Sequence, residues 1–231
     1  MSSTPAEINP ETKTYGFKDM LEGMDKIIPS PTHQKRRDIA SSLHNIASHI
    51  IRMDASDEEL TVYLQELTSL EKRFKNQGKI DTSELFRKMI NVEASGDDVL
   101  MGHDYGILNG KASAIAFPMD TKIVGDRVHG TAFVPLPFQG PPMRVHGGIV
   151  AAIFDVLLAQ TQAIGKVMGY TASLEITYKN ATPLETELEL EAWIEKIDGR
   201  KMFNAGEIRA NGKVCATAKG LWIQPKTGIF G

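Results

Sequence analysis

Hydrophobic positions recur at helical spacing through the first hundred residues and at strand spacing through most of the remainder. Ile39, Leu43, Ile46, Ala47 and Ile50 fall on one face of a helix. Ser56-Asp57-Glu58-Glu59 reads as a capping box, and Leu60, Tyr63, Leu64, Leu67 and Phe74 form a second amphipathic stripe behind it. A third, shorter helix is predicted from Asp81-Thr82-Ser83-Glu84, carrying Leu85, Met89 and Ile90. The pattern divides the chain into a loose polar stretch over 1–16, a helical segment over 17–98 and a second domain over 99–231. Ser95-Gly96-Asp97-Asp98 reads as the linker.

Beyond that linker the period changes to two. Ala112 to Phe117 and Gly125 to Pro135 read as strands, and Gly140-Pro141-Pro142 forces a turn. His146-Gly147-Gly148 then opens a helix that is apolar almost all round through Ala159, apart from one carboxylate, Asp155. After it Ser173–Tyr178, Thr186–Ile197, Met202–Arg209 and Val214–Ile223 read as strands. They are joined by Asp198-Gly199-Arg200-Lys201 and by the hairpin signal Asn211-Gly212. Two strands, one long helix and an antiparallel meander predict an α+β domain whose sheet wraps the helix.

That helix holds the candidate chemistry. A helix greasy on every side belongs in a core, and an ionised carboxylate there is costly unless something uses it. The two glycines leave the first helical N–H groups open, where the dipole favours developing negative charge. Asp155 lies eight residues beyond Gly147, about 12 Å along a helix at ~1.5 Å per residue. A single carbonyl cannot reach both groups of one chain. Two chains with antiparallel helices about a twofold axis would supply one group each.

Composition narrows the classes. The chain has 231 residues, 42% of them hydrophobic, enough for one sizeable core with a smaller unit attached. A net charge of −3 offers no global basic field to recruit nucleic acid. The first hundred residues carry 13 Lys and Arg against 17 Asp and Glu, so the helical segment is mildly acidic. The lone Cys215 excludes an intramolecular disulfide and fits a reducing compartment. Met1 to Glu7 lacks the basic flank and apolar core of a signal peptide, and no apolar run is read as membrane-spanning. The expectation is a cytoplasmic protein. Lys35-Arg36-Arg37 is too short for a nucleic-acid patch and reads as the solvated start of a helix. His44 and His49 would sit about 140° apart around a helix, so they cannot share one ion, and no metal is expected.

Phe138-Gln139-Gly140-Pro141-Pro142-Met143-Arg144-Val145-His146-Gly147-Gly148, followed by Asp155, resembles the hotdog-fold acyl-CoA thioesterases. It is similar to the phenylacetyl-CoA thioesterase type and to thioesterase superfamily members 4 and 5. The resemblance runs from about Leu108 to Pro225 and leaves the helical segment unmatched. It implies a hotdog fold, an antiparallel sheet wrapped around a long central helix, here preceded by an all-helical segment. It also implies a homodimer or homotetramer that hydrolyses acyl-CoA to free acid and coenzyme A, with no cofactor beyond the substrate's own coenzyme A.

By the same resemblance the Gly147 N–H, with or without Gly148, would hold the oxyanion, and Asp155 would serve as general base or nucleophile. Thr171 would orient the water or carboxylate, and His146 would shape the loop beside the thioester. Thr177, Lys179, Arg200 and Lys201 would meet the coenzyme A moiety. Asn180 departs from the pattern, since relatives often carry arginine there. Phe154 and Leu158 could face an acyl tunnel. Two rivals stand: a non-catalytic acyl-CoA sensor, and a hotdog enoyl-CoA hydratase or dehydratase. Asp155 argues against the first, and the His placed directly before the glycines argues against the second.

Overall fold

The computed structural model describes residues 27–90 and 96–226; the polar stretch and the first positions of the helical segment lie outside them. Helix α1 (Pro31–Ile50) starts at Ser30, whose hydroxyl accepts from the His33 N–H. Helix α2 (Asp57–Lys75) carries the expected capping box. Ser56 accepts from the Glu59 N–H, and the Glu59 carboxylate accepts from the Ser56 N–H. Helix α3 (Thr82–Ile90) begins behind Asp81, which accepts from the N–H groups of Ser83 and Glu84.

Two expectations for this segment are corrected. Asp97-Asp98 is no linker. It opens helix α4 (Asp97–Asp104), and the Asp97 carboxylate accepts from both the N–H and the hydroxyl of Ser30. Nor is the basic run solvated throughout: Lys35 is exposed, but Arg36 and Arg37 are half-buried. Arg37 donates to Asp104, and His33 Nε2 lies 2.7 Å from the same carboxylate oxygen, with His33 and Asp104 each only 1% exposed. Arg36 reaches the Tyr105 hydroxyl. Burial alone pushes the Asp104 carboxyl up, but His103, Arg37 and His33 around it hold it well below the usual carboxylate range. These ion pairs fasten α1 to α4. The apolar stripes do not fasten it: Ile39, Ile46 and Ile50 are exposed, and α2 buries no residue at all.

The second part contains β1 (Met119–Val124), β2 (Arg127–Phe133), α5 (Gly147–Ala159), α6 (Thr161–Gly165), β3 (Tyr170–Tyr178), β4 (Glu187–Asp198), β5 (Lys201–Ala210) and β6 (Lys213–Ile223). The strands form one antiparallel sheet in the order β1-β2-β4-β5-β6-β3. Asn211 and Gly212 both take positive φ (51° and 73°), as a two-residue hairpin turn demands. The strand expected over 112–117 is instead a run of turns. Its N–H groups go to nearby carbonyls, Ala112 to Asp104, Ala116 to Ser113 and Phe117 to Leu108, and the ladder starts only after Pro118. The meander also breaks: β3 pairs with β6 rather than β4 and becomes a sheet edge.

Helix α5 packs against this sheet with Val150, Ile153, Phe154, Leu157 and Leu158, each at 0–1% exposure, in one core with Leu188, Met202, Ile208 and Trp222. Each such side chain contributes roughly 1.5–3 kcal/mol by leaving water. Gly206 permits the close approach, because a Cβ there would lie 2.8 Å from the Glu191 carbonyl and 3.1 Å from Leu158. The sheet covers one face of the helix only. Ile149, Ala151, Ala152, Asp155, Val156 and Ala159 are half-buried along the other, so Asp155 is not the fully buried acid that an all-apolar helix suggested. By length and composition Gly147–Gly165 could cross a bilayer, contrary to the expectation from the sequence. Here nearly half of it is packed inside the protein.

Candidate active site

The site begins with how α5 starts. Its leading loop is held by short backbone bonds: Val145 N–H to Thr182 O, His146 N–H to Phe138 O, and Gly140 N–H to Arg144 O, each 2.9 Å. Gly140 must be glycine, since a Cβ there would sit 2.9 Å from the His146 Cα. His146 is the N-cap, its Nδ1 accepting from the Gly148 N–H at 3.0 Å. That contact requires an unprotonated Nδ1. Gly148 is therefore engaged. The Gly147 N–H has no acceptor among the described residues, and the Tyr178 ring packs over Gly147, its hydroxyl 3.6 Å from an imagined Cβ, an ordinary contact distance. The Tyr178 hydroxyl donates to the Gly147 carbonyl at 2.9 Å and steadies the first turn from the end of β3.

Two turns further along, Thr171 Oγ1 donates to Asp155 Oδ1 at 2.9 Å. Strict alternation would deny this contact. Leu174, Ile176 and Tyr178 lie opposite Gly220, Ala218 and Ala216 on the helix side of the sheet, so an unbroken strand would turn Thr171 away. The register slips between Thr171 and Ser173, leaving Ala172 unpaired and setting Thr171 opposite the buried Trp222. A bulge thus re-aims the hydroxyl at the acid.

The structure brings some predicted residues together and separates others. His146 and Gly147 meet, as do Asp155 and Thr171, but the two pairs occupy opposite ends of one exposed helix face. The cationic candidates divide the same way. Lys179 follows β3, its N–H bonded to Cys215 O, whereas Lys201 pairs with Ile223 and the Arg200 guanidinium donates to Gln224 O. Residues 215 and 223 are eight apart on β6, about 27 Å at ~3.4 Å per residue. Thr177 lies opposite Thr217 and points away from the helix. Asn180 is structural, its side-chain amide donating to Val214 O.

Phe154 and Leu158 are fully buried against the sheet and do not face a tunnel, which corrects that expectation. A cleft of about 590 Å³ lies elsewhere, between α1 and the 109–120 segment, and none of its lining comes from α5. The sequence reading missed the bond from Tyr178 to Gly147. Its signal was available: Tyr178 shares parity with Leu174 and Ile176.

Comparison with known proteins reaches the same place. Residues 144–216, which hold the α5 start, Asp155, Thr171 and strands β3 to β5, match the model of the thioesterase superfamily. This part of the chain is thus similar to the thioesterase superfamily. Among curated relatives, acyl-coenzyme A thioesterase THEM4 of Mus musculus is 44% identical over 68 residues, 29% of this chain and 29% of its own length. THEM4 of Xenopus laevis is 38% identical over 34% of this chain and 36% of its own length. The chain thus matches about a third of the length of these relatives. The crystal structure of a thioesterase superfamily protein superposes with a TM-score of 0.68 at 26% identity, covering 81% of this chain and 94% of that one. That likeness extends past the hotdog sheet, since 81% of the chain is more than residues 99–231 supply.

Proposed function

We propose that this protein hydrolyses acyl-CoA thioesters to a carboxylic acid and coenzyme A, at sites each built from two chains. The observation that carries the reading is the division of one helix face. An N–H without an acceptor among the described residues stands at one end, and a hydroxyl-bound carboxylate stands two turns away at the other. The names of the matched relatives, acyl-coenzyme A thioesterases, support the substrate class.

The edge strand supports the two-chain site. β3 is nine residues long and lies at an edge of the sheet formed by the described strands, and proteins cover or disrupt such edges. A twofold axis through the middle of β3 sets its Thr171 end against the partner's Thr177–Lys179 end. The same axis lays the small residues Ala151 and Ala152 of the two α5 helices across each other. Gly147 of one chain then faces Asp155 of the other, and Lys179 joins Arg200 and Lys201 from across the axis. Those cations are suited to the substrate's phosphates.

In such a site the thioester oxygen accepts from the Gly147 N–H at the helix N-terminus, where the dipole adds to the stabilisation of negative charge. Asp155, held by Thr171, takes a proton from water as the oxygen attacks the carbonyl carbon. Collapse of the tetrahedral intermediate breaks the C–S bond, and the thiolate leaves and is protonated. Direct attack by Asp155 would pass through a mixed anhydride instead. Single turnover in H2 18O that labels Asp155 establishes the anhydride route, since only water attacking the Asp155 carbonyl of the anhydride places label there.

The deciding experiment is free-thiol release from a panel of acyl-CoAs, by the native chain and Asp155→Asn side by side. A loss of about 10²-fold or more in kcat with acyl-CoA still bound supports the reading. Tight binding by the native chain with no thiol released across the panel refutes it and favours a sensor.

A further inference from the structure

Helix α2 has an unusual position in this molecule. It runs nineteen residues with a complete capping box, yet none of its residues is buried. An isolated helix of this length is marginal in water, and helices in proteins are held chiefly by packing an apolar face. Leu60, Tyr63, Leu67, Leu70 and Phe74 are spaced three, four, three and four apart, the a and d positions of two heptads. Leu60, Tyr63 and Phe74 are 43–45% exposed, Leu67 and Leu70 are half-buried, and no other described element packs extensively against α2.

The charges along α2 say what fits it. Its first turn is acidic, with Asp57, Glu58 and Glu59, and its last turn is basic, with Lys72, Arg73 and Lys75. A second α2 laid parallel would set like charges against each other at both ends. Laid antiparallel about a twofold through Leu67, it opposes Leu60 to Phe74, Glu59 to Lys75 and Leu67 to its own copy, sets Leu70 opposite Leu64, and brings Tyr63 within one position of Leu70. The apolar seam and the charge gradient are both self-complementary when the two helices run antiparallel.

We propose that α2 is a self-association helix that pairs antiparallel with α2 of a second copy of this chain, with Leu67 on the twofold. The contact is independent of the β3 edge and of the thioesterase reading. Its occupant is another copy of the same protein, selected by charge as much as by apolar area.

Disulfide trapping tests the geometry. Leu67→Cys in the full-length chain should oxidise to a covalent dimer, while the native chain, whose Cys215 is buried, and the off-seam Gln65→Cys should not. Leu60→Cys alone should stay single, and an equal mixture of Leu60→Cys and Phe74→Cys should cross-link. In parallel, Leu67→Glu should weaken self-association at least tenfold on dilution, with helix content retained by circular dichroism. Failure of Leu67→Cys to cross-link overturns the proposal, as it would if residues 1–26 of the same chain covered the seam. Self-cross-linking of Leu60→Cys overturns the antiparallel geometry.

Discussion

Thr171→Val removes one hydroxyl and leaves the shape of the side chain. In the native protein that hydroxyl donates to Asp155 at 2.9 Å, and the carboxylate is half-buried. A hydrogen bond to a charged group contributes about 1.5–3 kcal/mol, and partial exposure places this one at the lower end. If the bond matters chiefly for aiming the carboxylate at water, about 1.4 kcal/mol is lost in the transition state and kcat falls about tenfold. KM should change little, because Thr171 faces the acid rather than the cationic candidates. Thr171→Ser keeps the donor and should recover most of the rate. Steady-state thiol release on one good acyl-CoA substrate gives both constants. A Thr171→Val enzyme within twofold of native kcat, beside an inactive Asp155→Asn, would refute the positioning role. Equal losses in Val and Ser variants would point to packing instead.

The remaining predictions concern the frame around the site. Asp104→Ala leaves His33 and Arg37 without their buried partner and should cost about 3–5 kcal/mol, read by chemical denaturation. Because the Asp104 carboxyl is held below its unfolded value, its contribution should be complete above about pH 4. It should be lost only as the pH falls toward the lower native value, so the difference between native and Asp104→Asn stability should shrink on acidification and stay flat above it. Gly148→Ala puts a Cβ 3.2 Å from His146 Nδ1 and should strain the N-cap, costing about 1 kcal/mol of stability. Gly147→Ala meets nothing closer than 3.6 Å and should melt closer to the native chain; thermal unfolding of the pair orders them.

What the sequence by itself determined was local. The capping box at Ser56, the glycine opening of α5, the Asn211-Gly212 turn and the alternating runs of β4 to β6 each depend on residues a few positions apart. Their physics is complete within that window. Asp155 was visible for the same reason, as one charge in an apolar stretch.

What only the tertiary structure decided involves partners far along the chain. Arg37 reads as a solvated cation until α4 brings Asp104 to it, 67 residues away. Asp97 reads as linker until Ser30 arrives. Thr171 has the wrong parity to meet Asp155 unless β6 accepts a bulge opposite Trp222, and no periodicity within β3 announces that slip. The edge position of β3, which splits Lys179 from Arg200 and Lys201, follows from strand order. Strand order is fixed by how a whole sheet buries one helix face, a sum over the core rather than a property of any segment.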